Sequence, residues 1–203
     1  MYKLLKSIYL LYKRPVIWFT FYLRQFFYFV YPNRINLMRH RLIYSKQPSI
    51  YQFTICEGEG VVEIGDNCSF GYKMGGFHRG GCIELQARYR NSKIKIGNNI
   101  ATNNNIMLCA ANYIEIGDNT LIGQYVTIMD HEAHGIAPDK RRQLGEIGKV
   151  IIGRNVWLGN NVTILKNSVI GDNTIVAVGA VVSGKFPANV IIGGVPAKII
   201  KTL

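Results

Sequence analysis

From Ile152 onward the chain divides into units of six without a gap: Ile152-Gly-Arg-Asn-Val-Trp, Leu158-Gly-Asn-Asn-Val-Thr, Ile164-Leu-Lys-Asn-Ser-Val, Ile170-Gly-Asp-Asn-Thr-Ile and Val176-Ala-Val-Gly-Ala-Val. That period is neither the roughly 3.6 of a helix nor the roughly 2 of an isolated strand. Each unit opens on an aliphatic residue and carries a small or β-branched residue four places later, at Val156, Val162, Ser168, Thr174 and Ala180. Gly and Asn fill most positions between. A chain that turns a corner at this interval needs one large side chain per flat face to fill its interior and a small residue near each corner. Gly or Asn serves where the corner takes a positive φ. Three such faces close a coil of about eighteen residues, and coils stack by pairing backbone with backbone.

The same units occur earlier as Ile64-Gly-Asp-Asn-Cys, Ile96-Gly-Asn-Asn-Ile, Ile116-Gly-Asp-Asn-Thr and Ile122-Gly-Gln-Tyr-Val. The coil is therefore expected from about residue 60 to about residue 195. Strands of a sandwich would recur at uneven spacings of about 8 to 12 residues, which these do not. With 203 residues the chain is long enough for one domain with its own core plus an appendage. The pattern predicts a basic aromatic N-terminal segment over 1–55 and a coil domain over 56–203.

The hand of the coil does not follow from its period. The units Ile152-Gly-Arg-Asn-Val-Trp157-Leu-Gly and Ile170-Gly-Asp-Asn-Thr, with the closing Gly193-Gly-Val-Pro196-Ala-Lys198-Ile-Ile-Lys201, resemble the hexapeptide-repeat acyltransferases. The likeness is greatest to the branch of maltose, galactoside and polysaccharide O-acetyltransferases, and it covers residues 60 to 203. It implies a mainly β fold, a left-handed parallel β-helix, acetyl-CoA as acyl donor, no metal and a homotrimer with its active site between neighbouring coils. The first 55 residues do not look like the N-terminal region of the sugar acetyltransferases.

Between Met129 and Lys149 the six-residue rule fails, so this stretch is expected to leave the coil as an exposed loop. His131 and His134 stand at its start. In the family that the chain resembles, a histidine just after the preceding unit takes the proton of the acceptor hydroxyl, which attacks the thioester directly. The resemblance puts His131 in that role, with His134 in reserve. Among side chains, histidine has the ordinary pKa nearest neutrality and so suits a general base. Asp130, Glu132 or a backbone carbonyl could orient the imidazole. No Ser or Cys has an evident base beside it, which argues against a covalent acyl-enzyme.

The resemblance further suggests Asn103 for positioning the acceptor, Trp157 against the pantetheine arm, and Asn160, Ser183, Lys198 and Lys201 along the CoA groove. Where relatives carry Thr-Lys-Asp, this chain has Ser183-Gly184-Lys185, leaving Lys185 to stand in for the lysine. Alone, each of these residues would read as a corner asparagine or an exposed side chain. Gly75-Gly-Phe-His78-Arg-Gly-Gly81 is a second irregular stretch. It lacks the strand-to-helix setting of a phosphate loop and reads as a loop off an early coil, beside the acceptor site.

The formal charge of +12 is not a nucleic-acid signal, because of where it lies. Residues 1 to 56 hold nine Lys or Arg and no Asp or Glu, leaving fifteen basic and twelve acidic residues in the rest. The basic segment is also aromatic. Its apolar run from Pro15 to Tyr31 is shorter than the roughly 20 residues of a membrane span and is broken by Arg24. No small-residue cleavage site follows it, so it is expected to be retained. Two readings stay open: amphipathic helices lying on an anionic membrane through residues 1–45, or an apolar cover over the core or a neighbouring subunit. Cys56, Cys68, Cys82 and Cys109 show neither metal-site nor disulfide spacing and are expected reduced, as in a cytoplasmic protein at the inner face of the membrane.

These features favour O-acetylation of a saccharide, in cell-surface polysaccharide or lipid-linked glycan synthesis. N-acetylation of an amino sugar would use the same scaffold. A zinc carbonic anhydrase of the same coil would need three converging histidines, and His131, His134 and His78 are poorly spaced for that. A silent trimeric scaffold is the remaining reading.

Overall fold

The computed structural model describes residues 15–37 and 41–203. Its chain winds as a triangular prism. Among the described residues, one face stacks seven strands from Leu42–Tyr44 to Lys185–Phe186, the second eight from Ser49–Ile50 to Ala197–Thr202, and the third six from Thr54–Glu57 to Val181–Val182. Neighbouring strands on a face are parallel, except the last pair, where Ala197–Thr202 returns antiparallel along Val190–Gly194.

The register explains the period. Tyr44, Ile64, Ile96, Ile116, Ile152, Ile170 and Phe186 lie directly above one another on the first face. Cys56, Leu85, Leu108, Ile128, Ile164 and Val182 do so on the third. The aliphatic openers of the five C-terminal units, Ile152, Leu158, Ile164, Ile170 and Val176, are all buried, as are the small residues Val156, Val162, Ser168, Thr174 and Ala180 at the corners.

Asn and Gly divide the corner work differently from the sequence expectation. Asn155, Asn161, Asn167 and Asn173 have φ between 55° and 63°. Their short amides tolerate the left-handed region and also bond between coils, Asn155 to Asn173 at 2.9 Å and Asn173 to Asn189 at 2.8 Å. Gly179 takes such a corner at φ 72°, whereas the glycine after an opener is needed for closeness: a Cβ on Gly117 would stand 2.6 Å from the carbonyl carbon of Gly153 one coil on.

The coil also begins earlier than the expected boundary at residue 56, because Leu42–Tyr44, Ser49–Ile50 and Thr54–Glu57 already form its first turn. That turn lacks the Gly-Asn corner signature. The N-terminal segment is not separable from the coil. A helix over 15–25 runs into a π-helical stretch, Phe26–Leu37, that seats Phe29 fully in the core. Gln25 exchanges two 3.0 Å hydrogen bonds with the backbone of Ile50. Asn33 donates to the Thr54 carbonyl at 2.7 Å and accepts from the Cys56 N–H at 2.6 Å. These amides satisfy the open strand edge that a solenoid exposes at its end. Covering the core is therefore the structural role of 25–33, while Val16, Ile17, Trp18, Phe19, Tyr22 and Leu23 on 15–25 remain exposed. Residues 1–14 and 38–40, part of the expected membrane-surface segment, lie outside the described residues.

Candidate active site

The third face ends its middle strand at Thr127–Met129, and the chain then leaves the coil. Asp130 holds the departure point. Its Oδ1 accepts the N–H of Ala111 at 2.7 Å, and its Oδ2 accepts those of Asn112 at 2.8 Å and Tyr113 at 2.6 Å, so the carboxylate caps a corner of the coil below. Beyond it, the loop over 130–148 is tied at its base. The Gly148 N–H donates to the Asp130 carbonyl at 2.6 Å, and His131 bridges to Ile147. Lys166 bonds to Glu132 and Glu146 across the same base.

His131 follows directly. Its side chain is fully buried, and Nδ1 lies 2.9 Å from Asp130 Oδ1. Of the orienting groups left open by the sequence, Asp130 makes this contact and Glu132 does not. On the other side of the ring, Nε2 lies 3.3 Å from Nη1 of Arg88. Sequence reasoning missed Arg88, which follows the strand Ile83–Ala87 outside any six-residue unit. His131 lines a cavity of about 440 Å³ with Leu165, Lys166, Asn167, Ser183 and Gly184. A carboxylate-oriented imidazole beside such a cavity can take a proton from a hydroxyl that reaches Nε2. The cysteines are poorly suited to nucleophilic work: burial pushes the thiols of Cys56, Cys68 and Cys109 up, and that of Cys82 to about 11.

The remaining candidates divide. Asn103, Trp157 and Asn160 line a second groove, along the eight-stranded face, with Tyr51, Tyr72 and Leu121. Asn103 Oδ1 accepts the Asn104 N–H and Asn160 Oδ1 accepts the Gln124 N–H, both at 2.8 Å, so each also works as a corner residue. Trp157 is 54 % exposed on that face. Ser183 shares the His131 cavity. Lys185, Lys198 and Lys201 are exposed and line neither groove, and His134 is exposed with Nδ1 2.8 Å from the Arg141 carbonyl of its own loop. Within one chain, then, the candidates that line a groove form two separate sets. Among the described residues, no group of three or more His, Cys, Asp or Glu is arranged to hold a metal ion.

Comparison with known proteins accords with this geometry. Residues 149–184 match the family model "Bacterial transferase hexapeptide (six repeats)". The Escherichia coli K12 protein WbbJ, which bears the name lipopolysaccharide biosynthesis O-acetyl transferase, is 34% identical over 157 residues, covering 70% of this chain and 72% of its own. Galactoside O-acetyltransferase of the same organism is 35% identical over 116 residues, or 55% of each chain. Among solved structures, the polySia-specific acetyltransferase NeuO superposes with a TM-score of 0.61 at 22% identity, covering 79% of this chain and 71% of that one, a likeness of fold. The protein belongs to the hexapeptide-repeat acetyltransferases, folded as a left-handed parallel β-helix.

Proposed function

We propose that the protein transfers an acetyl group from acetyl-CoA to a saccharide hydroxyl by direct attack, with His131 as general base. The observation that carries this reading is the buried Asp130–His131 pair at the foot of the loop, beside the cavity that His131 shares with Ser183. Nε2 takes the hydroxyl proton as the acceptor oxygen bonds to the thioester carbonyl carbon. The tetrahedral intermediate then collapses, the C–S bond breaks, and the imidazolium returns the proton to the departing CoA thiolate. General base catalysis of this kind is worth about 10²–10⁴-fold.

The division of candidates into two sets supports a homotrimer in which the His131 cavity of one subunit faces the Asn103–Trp157–Asn160 groove of the next. Asn103 then positions the acceptor, Trp157, Asn160 and Ser183 line the path of CoA, and Lys185, Lys198 and Lys201 answer its phosphates from the exposed C-terminal coil. The similarity to WbbJ and the exposed aromatic helix over 15–25 together favour a lipid-linked or membrane-proximal glycan as acceptor, reached from the inner face of the membrane. Among the described residues, no helix is long and apolar enough to cross a membrane.

The test is CoA release, followed with a thiol reagent, from acetyl-CoA and a panel of neutral and acidic oligosaccharides and amino sugars. His131→Ala should lower kcat by about 10²–10⁴-fold while His134→Ala changes it little. Equal activity of His131→Ala and wild type would overturn the assignment. Acetylation of the amino sugars alone would move the acceptor from oxygen to nitrogen.

A further inference from the structure

Two aromatic residues sit in backbone conformations that aromatic residues seldom adopt. Phe77 has φ 55° and Tyr125 φ 57°. Positions equivalent to Tyr125 in the stacked coils hold Asn105, Asn161 and Gly179, all with positive φ, so the repeat offers cheaper residues for this corner. A bulky residue there costs on the order of 1–3 kcal/mol and persists only where the surroundings impose it. The two rings meet edge to face with centroids 5.4 Å apart. Burial does not offset the strain, since Phe77 is 66% exposed and Tyr125 40%.

The loop that carries Phe77 is built to hold it there. Gln52, 1% exposed, donates through Nε2 to the carbonyls of Phe77 at 3.2 Å and Gly80 at 3.1 Å. Fully buried Asn104 donates to those of Tyr72 and Gly76, each at 3.0 Å, and Gln124 donates to Gly76 at 2.9 Å. At Gly75 the loop presses on the side chain of Asn103, leaving no room for a Cβ. Beside the rings lies a depression of about 440 Å³, lined also by Gly81, Cys82, Glu84 and Met107. The Glu84 carboxylate is held in place by Gln86 at 2.7 Å and Cys82 at 3.3 Å.

We propose that the Phe77–Tyr125 pair and Glu84 form an acceptor subsite that stacks one pyranose ring of the saccharide, at a position that extends the Asn103 groove. The chemistry selects a sugar. A pyranose offers an apolar C–H face to an aromatic ring and hydroxyl donors to a carboxylate, and this depression presents both. The packing of the Phe77 loop on Asn103 at Gly75 argues for the acceptor side rather than the donor side. This inference rests on the saccharide reading above.

Full-length Phe77→Ala and Tyr125→Asn test it, with the oligosaccharide of the acceptor panel that wild type acetylates fastest. The asparagine is the residue that equivalent corners use, so the melting temperature of Tyr125→Asn should equal or exceed that of wild type. Each variant should raise the acceptor KM about 10-fold, the loss expected of one aromatic stacking contact, and leave the acetyl-CoA KM and kcat near wild type. An unchanged acceptor KM in two folded variants overturns the subsite. So does a fall in oligomeric mass by light scattering, which would make the pair a contact between copies of the chain. Loss of the saccharide reading shows differently: either no glycan of the panel is acetylated, or His131→Ala is as active as wild type, whatever the aromatic variants do.

Discussion

The guanidinium of Arg88 stands 3.3 Å from Nε2 of His131 and thereby fixes which ring nitrogen is basic. Arg carries donors only, so Nε2 accepts and the imidazole proton resides on Nδ1, which donates its hydrogen bond to Asp130. A substrate hydroxyl would replace Arg88 as the donor to Nε2, leaving the cation beside the oxygen that develops charge. Hydrogen bonds to charged groups are worth about 1.5–3 kcal/mol, so Arg88→Ala should lower kcat by about 10- to 100-fold. Arg88→Lys should recover part of that, keeping the charge without the planar fork. Steady-state kinetics against both substrates checks this, and an unchanged kcat in Arg88→Ala would remove Arg88 from the site.

Asp130 joins the imidazole to the fold through the three N–H groups that its carboxylate accepts from Ala111, Asn112 and Tyr113. Asp130→Asn turns an amide N–H₂ toward at least one of those donors. A buried donor left without a partner costs about 1–3 kcal/mol, and a lower melting temperature is the expected result. The variant should also lose activity beyond what unfolding explains, because the tautomer is no longer enforced. Nitrogen-15 shifts of the His131 ring separate the effects: wild type should show protonated Nδ1 and bare Nε2, the variant a mixture.

The corner asparagines make a separate prediction about stability. Asn173 combines φ 59° with side-chain bonds to Asn155 and Asn189. Asn173→Ala loses the bonds and adds the left-handed penalty of about 1–2 kcal/mol, whereas Asn173→Gly loses the bonds alone. Denaturant titration should therefore rank wild type above Asn173→Gly and Asn173→Gly above Asn173→Ala. Equal stability of the two variants would show that the amide ladder, not the backbone, sets the cost.

The prism was legible because its period repeats: Ile152, Leu158, Ile164, Ile170 and Val176 each report the same inward position, and every repetition reinforces the reading. Coil one was not legible, since Leu42, Ile50 and Cys56 fill the same columns without Gly-Asn corners between them. His131 stood out as the point where the period breaks. Arg88 did not, because its contact with His131 spans 43 residues and depends on how two coils stack, which no local pattern records. The split of Asn103 and Trp157 from His131 is likewise a property of three-dimensional faces, not of spacing along the chain.

An ion pair across two coils gives the pH dependence a sign. A hydrogen bond from Lys95, 2.8 Å away, holds the Glu115 carboxyl below the usual carboxylate range. A depressed folded pKa means that the unfolded chain binds the proton more readily. The pair therefore adds stability above about pH 4.3, the ordinary glutamate value, and that stability is lost as pH falls through the depressed value. Both side chains are partly solvated, so the gain is at most about 1 kcal/mol. Melting temperatures of wild type and Glu115→Gln should differ at pH 7 and converge in acid. A gap that widens toward low pH would contradict the assigned direction.

Membrane contact through the helix over 15–25 is best tested with that helix in place, because Gln25 at its end and Phe29 and Asn33 beyond it complete the first coil, and deleting the whole segment would open the core. Trp18 offers a direct reporter. It is 59% exposed, on the same helix as Val16, Ile17, Phe19 and Tyr22, and the chain has only one other tryptophan, Trp157. In the Trp157→Phe variant all indole emission comes from Trp18. An aromatic side chain that enters the headgroup layer leaves water, so vesicles containing phosphatidylglycerol should shift the emission to shorter wavelength. Neutral phosphatidylcholine vesicles should do so less, and added salt should weaken the response, since the basic residues of the segment act through screened charge. Emission that ignores both kinds of vesicle would leave the exposed face to another subunit and remove the reason for preferring a membrane-proximal acceptor.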